Sequence, residues 1–76
     1  MKIEILGTGC PKCSRLAQNA REAVQNLGID AEVVKVTDLN EISDYGVMNT
    51  PGLAVNGSVK SSGKVLSTEE IIKIIR

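Results

Sequence analysis

The first half of the chain runs through strand, helix and strand patterns, and this order constrains the fold more than any other feature. Lys2–Leu6 is largely apolar on both faces, which suits a central strand. Residues 10–27 place apolar side chains at three- and four-residue intervals and predict an amphipathic helix that ends at Gly28. Residues 31–36 are rich in β-branched side chains and predict a second strand. Because a strand-helix-strand unit crosses over with a right hand, the two strands should be parallel.

Two capping-box patterns predict two further helices. Asp38 and Glu41 are spaced as an N-cap and its third helical residue, and the short helix they begin should end near Gly46. Ser67 and Glu70 repeat the spacing near the C-terminus, where four isoleucines follow at helical rather than alternating intervals. The chain should therefore finish on a helix.

A hairpin is predicted between these two helices. Asn56-Gly57 is the dipeptide that best fits a two-residue type I′ turn, and it is flanked by strand patterns at Gly52–Val55 and at residues 58–61. The full order is β-α-β-α-β-β-α. It predicts an α/β fold with a four-stranded mixed sheet flanked by helices, in one domain that spans residues 1–76.

The chain's two cysteines, Cys10 and Cys13, are separated by two residues at the predicted start of the first helix. There the backbone N–H groups of the first turn and the helix dipole favour a thiolate, and they can lower a thiol pKa from about 8.5 toward neutrality. Pro11 suits the first helical position, and Lys12 adds a nearby positive charge. The pattern predicts an activated thiol with a second thiol within reach, which serves either redox chemistry or binding of a soft metal.

Composition excludes several other kinds of protein. The 76 residues can bury only roughly 60% of their unfolded surface, in a core built from eight Ile, eight Val and six Leu, with Tyr45 as the one aromatic residue. Nine basic and nine acidic residues cancel without clustering, so nucleic-acid binding is not expected. No apolar run approaches the roughly 20 residues that cross a membrane, and no signal peptide is evident. We expect a cytoplasmic monomer, in which a close cysteine pair is catalytic, redox-sensing or metal-binding.

Taken together, the Cys-Pro-Lys-Cys motif at a helix start, Thr50-Pro51, the hairpin and the last helix resemble the thioredoxin fold over the whole chain. More narrowly, the chain is similar to small, glutaredoxin-sized redox-active disulfide proteins of archaea and bacteria. Their Gly-Thr-Gly-Cys-x-x-Cys opening and Pro-Gly-Leu-Ala-Val-x-Gly segment are both present. The resemblance implies a thiol–disulfide oxidoreductase that uses no cofactor beyond a reversible Cys10–Cys13 disulfide. It also implies protein disulfides as substrates and a reductase as electron donor.

The resemblance implies roles for individual residues as well. Cys10 would attack a substrate disulfide, and Cys13 would resolve the mixed disulfide that forms. Pro51 would follow a cis peptide bond and lie against the cysteine pair, and the backbone of Thr50 would pair with an extended substrate segment. Pro11 and Lys12 would support the site.

The chain also departs from the patterns it resembles. Gly9 stands where thioredoxins carry a tryptophan. Lys12 replaces the aromatic residue of the glutaredoxin motif, and residues 62–64 replace the glycine pair of glutaredoxins, which argues against glutathione binding.

Glu4 lies six positions before the first cysteine, where thioredoxins carry a buried acid that assists proton transfer. The alternative is a strand glutamate whose carboxylate reaches solvent or a lysine. Tyr45 is predicted either to pack in the core or to lie at a helix end.

Two other functions are compatible with the cysteine pair. A soft-metal chaperone could bind Cu(I) through the same two thiolates, but such chaperones follow a βαββαβ order and finish on a strand. The chain also lacks histidine, so a resident metal site is not expected. A redox-sensing or docking domain would share the fold and the disulfide but act on one fixed partner, whereas a reductase would accept a broad range of substrates.

Overall fold

The computed structural model describes residues 1–76 and contains four strands and three helices in the predicted order. Their bounds are β1 (Lys2–Leu6), α1 (Pro11–Leu27), β2 (Glu32–Val36), α2 (Leu39–Asp44), β3 (Gly52–Val55), β4 (Ser58–Ser62) and α3 (Thr68–Ile75). The first helix begins one residue later than predicted, because Cys10 is its extended N-cap residue. None of the three helices combines the length and the apolar character that a membrane-spanning helix requires.

The four strands form one mixed sheet in the order β2-β1-β3-β4. β1 pairs in parallel with β2, as the right-handed crossover predicts, and antiparallel with β3. The predicted hairpin joins β3 to β4 around Asn56, whose φ of 52° lies in the left-handed region that such a turn requires. The two central strands are buried almost throughout, whereas most of the edge strand β4 is exposed.

Side chains on β1 alternate between the two faces of the sheet, and each face has its own apolar cluster. Ile3 and Ile5 face α1 and α3 and belong to the larger cluster. Leu6 lies on the opposite face with Ile42 of α2, in the smaller cluster. The larger cluster consists of Ile3, Ile5, Leu16, Ala17, Ala20, Ala23, Leu53, Val55, Leu66, Ile71 and Ile75. The aliphatic composition is therefore sufficient to cover both faces of the sheet.

The helix boundaries follow local capping chemistry. Gly28 ends α1 with a φ of 64°, and its N–H donates to the carbonyl of Val24 at 3.0 Å. The predicted capping box at α3 is present, because Ser67 and Glu70 exchange side-chain to backbone hydrogen bonds, each of 3.1 Å.

At α2 only half of the predicted capping box is formed. Asp38 accepts a hydrogen bond from the N–H of Asn40 at 2.8 Å and so caps the helix. The Asp38 carboxylate accepts from the second helical residue and not from the N–H of Glu41, the third. The Glu41 side chain does not accept a hydrogen bond from the Asp38 N–H. The prediction of a reciprocal box at this helix was therefore wrong, although the N-cap itself was correct.

The cap of α3 can be tested by removing the Ser67 hydroxyl. Ser67→Ala should lower the free energy of unfolding by about 1 kcal/mol, because the Glu70 N–H loses its acceptor. Ser67→Asn should retain most of the stability, because its amide oxygen can accept the same bond. Urea denaturation of the three proteins measures both effects. Equal losses in the two variants would show that the cap is not the cause.

Candidate active site

The dithiol lies where the chain leaves β1 and enters α1. Cys10 has extended backbone angles (φ −68°, ψ 162°), and its Sγ accepts a hydrogen bond from the backbone N–H of Cys13 at 3.3 Å. A sulfur therefore occupies the place that a serine or aspartate oxygen takes at an ordinary N-cap. Pro11 occupies the first helical position, where its missing N–H leaves no bond unmade.

The two thiols differ in burial and in pKa. Cys10 is half-buried, whereas only 4% of Cys13 is exposed. A hydrogen bond from the Cys13 thiol is the main cause that lowers the pKa of Cys10, and backbone N–H groups of Cys13 and Lys12 lower it further. Burial is the main cause that raises the pKa of Cys13. The arrangement favours a Cys10 thiolate that is hydrogen-bonded by a neutral Cys13 thiol.

Gly7 makes room for the second cysteine. It is buried, and a Cβ atom at this position would overlap Cys13 Sγ. Its N–H donates to the carbonyl of Val36 at 2.9 Å, so the backbone cannot easily move away. The sequence predicted no role for Gly7 beyond its place in the Gly-Thr-Gly-Cys-x-x-Cys opening. A glycine between a buried strand and a cysteine motif is the signal that could have indicated close packing.

The loop before β3 lies beside the dithiol. The Thr50-Pro51 peptide bond is cis, as the resemblance implied. Pro51 is buried and its carbonyl accepts a hydrogen bond from Gly63 N–H at 2.9 Å, while Thr50 is exposed. Thr50 Cβ lies 3.8 Å from the ideal Cβ position of Gly7, which places this loop next to the glycine that Cys13 contacts. The fold thus brings the two predicted segments of the site together.

The first turn of α1 contains no acidic residue that could pair with Lys12. With Pro11, Arg15 and Val65, Lys12 lines a cleft of about 220 Å³, and the lining residue Pro11 directly follows Cys10 in the chain. Two larger depressions, of about 510 and 500 Å³, are lined by no residue that neighbours a cysteine in the chain. The smaller cleft is the one of the three that residues of the first turn of α1 line.

Glu4 is buried, with 8% of its surface exposed, and its partner is Tyr45. The phenol donates to Glu4 Oε1 at 2.6 Å, and this bond is the main cause that raises the pKa of Tyr45. The Tyr45 phenol, and not a lysine, is therefore the partner of this carboxylate. Tyr45 does lie at the end of α2, as predicted, but its bond to Glu4 was not anticipated. A proton-transfer role for Glu4 stays a prediction.

The chemistry available at this site is that of two thiols. No group of three or more His, Cys, Asp or Glu residues could hold a metal ion. The chain finishes on α3 and not on a strand, so it does not have the element order of the ferredoxin-like metal chaperones. A thiol at a helix N-cap, a buried second thiol and an adjacent cis-proline loop define a thiol–disulfide oxidoreductase with a thioredoxin-like fold.

Comparison with known proteins agrees with this class. The thioredoxin-domain family profile matches residues 1–76, and the chain belongs to this family. The thioredoxin of Methanothermobacter thermautotrophicus is 53% identical over 75 residues, which cover 99% of this chain and 97% of the relative. The thioredoxin of Methanocaldococcus jannaschii is 54% identical over 69 residues, which cover 91% and 79% respectively. A probable thioredoxin of Methanothermobacter marburgensis is 34% identical over 67 residues, 83% of this chain and 79% of the relative.

Gly7→Ala tests the close contact with Cys13. The added methyl should cost about 1–3 kcal/mol of unfolding free energy, because it meets a sulfur held by α1. In a Cys13→Ala background the overlapping atom is absent, so the same substitution should cost less, by a coupling of about 0.5–3 kcal/mol. Denaturation of the four proteins of this cycle gives both values. An identical cost in the two backgrounds would rule out the contact.

The split in thiol pKa can be followed by the ultraviolet absorbance of the thiolate as pH is raised. In the reduced protein the first thiolate should form below the pKa of about 8.5 of free cysteine. Cys13→Ala should raise the pKa of Cys10, because the thiol hydrogen bond is lost. In Cys10→Ala the remaining thiol should titrate above free cysteine, because it is buried. A Cys10 thiol that titrates above free cysteine in the unmodified protein would contradict the arrangement.

Proposed function

We propose that the protein reduces disulfide bonds in other proteins, with Cys10 as the nucleophile and Cys13 as the resolving thiol. The observation that carries this assignment is the position of Cys10 Sγ at the N-cap of α1, where it accepts the Cys13 N–H at 3.3 Å. Cys10 is also the more exposed of the two sulfurs and the one whose pKa is lowered. A reactive cysteine needs both properties, because the thiolate is the attacking species and must reach its target.

The proposed reaction moves two electrons in two exchange steps. The Cys10 thiolate attacks one sulfur of the substrate disulfide, a bond forms between them, and the other substrate sulfur leaves as a thiolate that takes up a proton. Cys13 then loses its proton and attacks Cys10 Sγ, which breaks the mixed disulfide and releases the second substrate thiol. The substrate is reduced and the protein is left with a Cys10–Cys13 disulfide. A dithiol reductase must return two electrons and two protons before the next cycle.

Cys13 is suited to the second step. Its burial keeps a competing disulfide away from it, and its backbone N–H is already hydrogen-bonded to Cys10 Sγ. While Cys10 is a thiolate, the raised pKa of Cys13 holds its proton in place. Burial remains the main cause of the raised pKa of Cys13, but once Cys10 has entered a mixed disulfide its negative charge is gone, and the smaller contribution of charge repulsion is removed. Attack on the substrate therefore prepares the resolving thiol.

The loop at Thr50 supports a role in binding the substrate. Thr50 is exposed beside the dithiol, on a loop held by the hydrogen bond from Gly63 to Pro51. An extended substrate segment could pair with exposed backbone here, which gives affinity with little dependence on side chains. Such binding suits an enzyme that accepts several protein disulfides. The proposed place of action is the cytoplasm, where reductases keep thiols reduced.

Trapping of the mixed disulfide separates the two cysteine roles. Cys13→Ser should accumulate a mixed disulfide through Cys10 when it is mixed with oxidised protein substrates, because the resolving attack is lost. Cys10→Ser should trap little, because the remaining thiol is buried. Non-reducing electrophoresis with mass spectrometry of the captured proteins measures both. Equal trapping by Cys10→Ser would contradict the assignment, and capture of one protein alone would favour a redox sensor with a fixed partner.

A further inference from the structure

Two unpaired cations lie next to the dithiol on α1. Lys12 and Arg15 are three residues apart, so they are neighbours on one side of the helix, and both are exposed. The first turn of the helix has no acidic residue, and none lines the cleft that the two cations share with Pro11 and Val65. The chain as a whole has equal numbers of acidic and basic residues. The positive charge is therefore a local property of this cleft.

This placement does not help the helix. The N-terminus of a helix carries a partial positive charge that favours anions, so a cation at Lys12, the second helical residue, is unfavourable. Like charges three residues apart on a helix also repel each other. The pKa of Cys10 is lowered by hydrogen bonds from the Cys13 thiol and from backbone N–H groups. The side chains of Lys12 and Arg15 do not contribute to this lowering. Neither the stability of the helix nor the lowered pKa of Cys10 therefore explains why Lys12 and Arg15 are at these positions.

The size of the cleft limits what can occupy it. At about 220 Å³ it is smaller than the roughly 300–1,000 Å³ of ordinary small-molecule sites. Its lining combines Pro11 and the half-buried Val65 with the two cations. A short acidic side chain meets both conditions, because its methylene groups can contact Pro11 and Val65 while its carboxylate lies between the cations.

We propose that this cleft receives an aspartate or glutamate side chain that lies next to the reactive disulfide of the substrate protein. The inference rests on the proposed function, since it names the substrates that the Cys10 thiolate prefers. Pro11 and Lys12 directly follow Cys10 in the chain, so a residue close to the attacked cysteine of the substrate is the one that reaches the cleft. The carboxylate contributes mainly to the rate of productive encounter and to the orientation of the disulfide.

The test uses pairs of disulfide-bonded peptides that are identical except for a Glu or a Gln next to one cysteine. In one pair this residue precedes the cysteine, and in a second pair it follows the cysteine. For the unmodified protein, kcat/KM should favour the Glu peptide by about two- to five-fold, the factor that an exposed ion pair is worth. The preference should shrink toward one in 1 M salt, where the screening length is about 3 Å. Arg15→Glu should remove or reverse the preference, because it places a carboxylate at the cleft.

Arg21→Glu is the matched control, because Arg21 is an exposed cation on the same helix that does not line the cleft. It should keep the preference for the Glu peptide and the salt dependence. Urea denaturation of both variants provides a second readout, and Arg15→Glu should be no less stable than Arg21→Glu. A larger loss of stability in Arg15→Glu would assign Arg15 a structural role and overturn the inference.

The outcomes distinguish this inference from the function on which it rests. Reduction of the Glu and Gln peptides at equal rates, with no effect of salt or of Arg15→Glu, would overturn the acidic-substrate inference and leave the reductase intact. Failure to reduce either peptide or any protein disulfide would contradict the proposed function itself. A preference that Arg21→Glu abolishes equally would show that net charge, and not the cleft, selects the substrate.

Discussion

The hydrogen bond from the Cys13 N–H to Cys10 Sγ depends on a helix that begins directly after the first cysteine. At that position the sulfur accepts a backbone N–H that has no partner within the helix, and the bond is strongest when the sulfur is a thiolate. One contact therefore joins the start of α1 to the reactivity of its N-cap residue. It also distinguishes the two cysteines, because Cys13, which supplies the N–H, is buried, whereas Cys10 accepts the bond and is more exposed.

The sheet holds this contact in place because three loops meet at the same end of its strands. Leu6 at the end of β1 is paired with Gly52 at the start of β3, and Gly52 is paired with Ser62 at the end of β4. The residues just beyond these positions therefore converge on the dithiol. Gly7 leaves space for Cys13, Pro51 carries the cis peptide bond, and Gly63 donates to the Pro51 carbonyl.

Local patterns predicted the elements, and contacts distant in sequence explain most of what was missed. The helices and strands follow from apolar periodicity and from caps such as Ser67 with Glu70, all readable within a few residues. The Glu4 bond to Tyr45 joins β1 to the end of α2, and the Lys12 cleft is completed by Val65 from the segment before α3. Neither could be read from spacing along the chain. The cap at Asp38 shows a local limit as well, because the pattern was present but the carboxylate bonds Asn40.

A single-turnover reaction tests the central claim most directly. The fully reduced protein is mixed with an excess of an oxidised protein substrate, with no other reductant, and both proteins are analysed by mass spectrometry. The account predicts that each chain reduces one substrate disulfide, loses two hydrogen atoms and ends with a Cys10–Cys13 disulfide. A stable mixed disulfide as the final product, or substrate reduction without a bond between these cysteines, would contradict it.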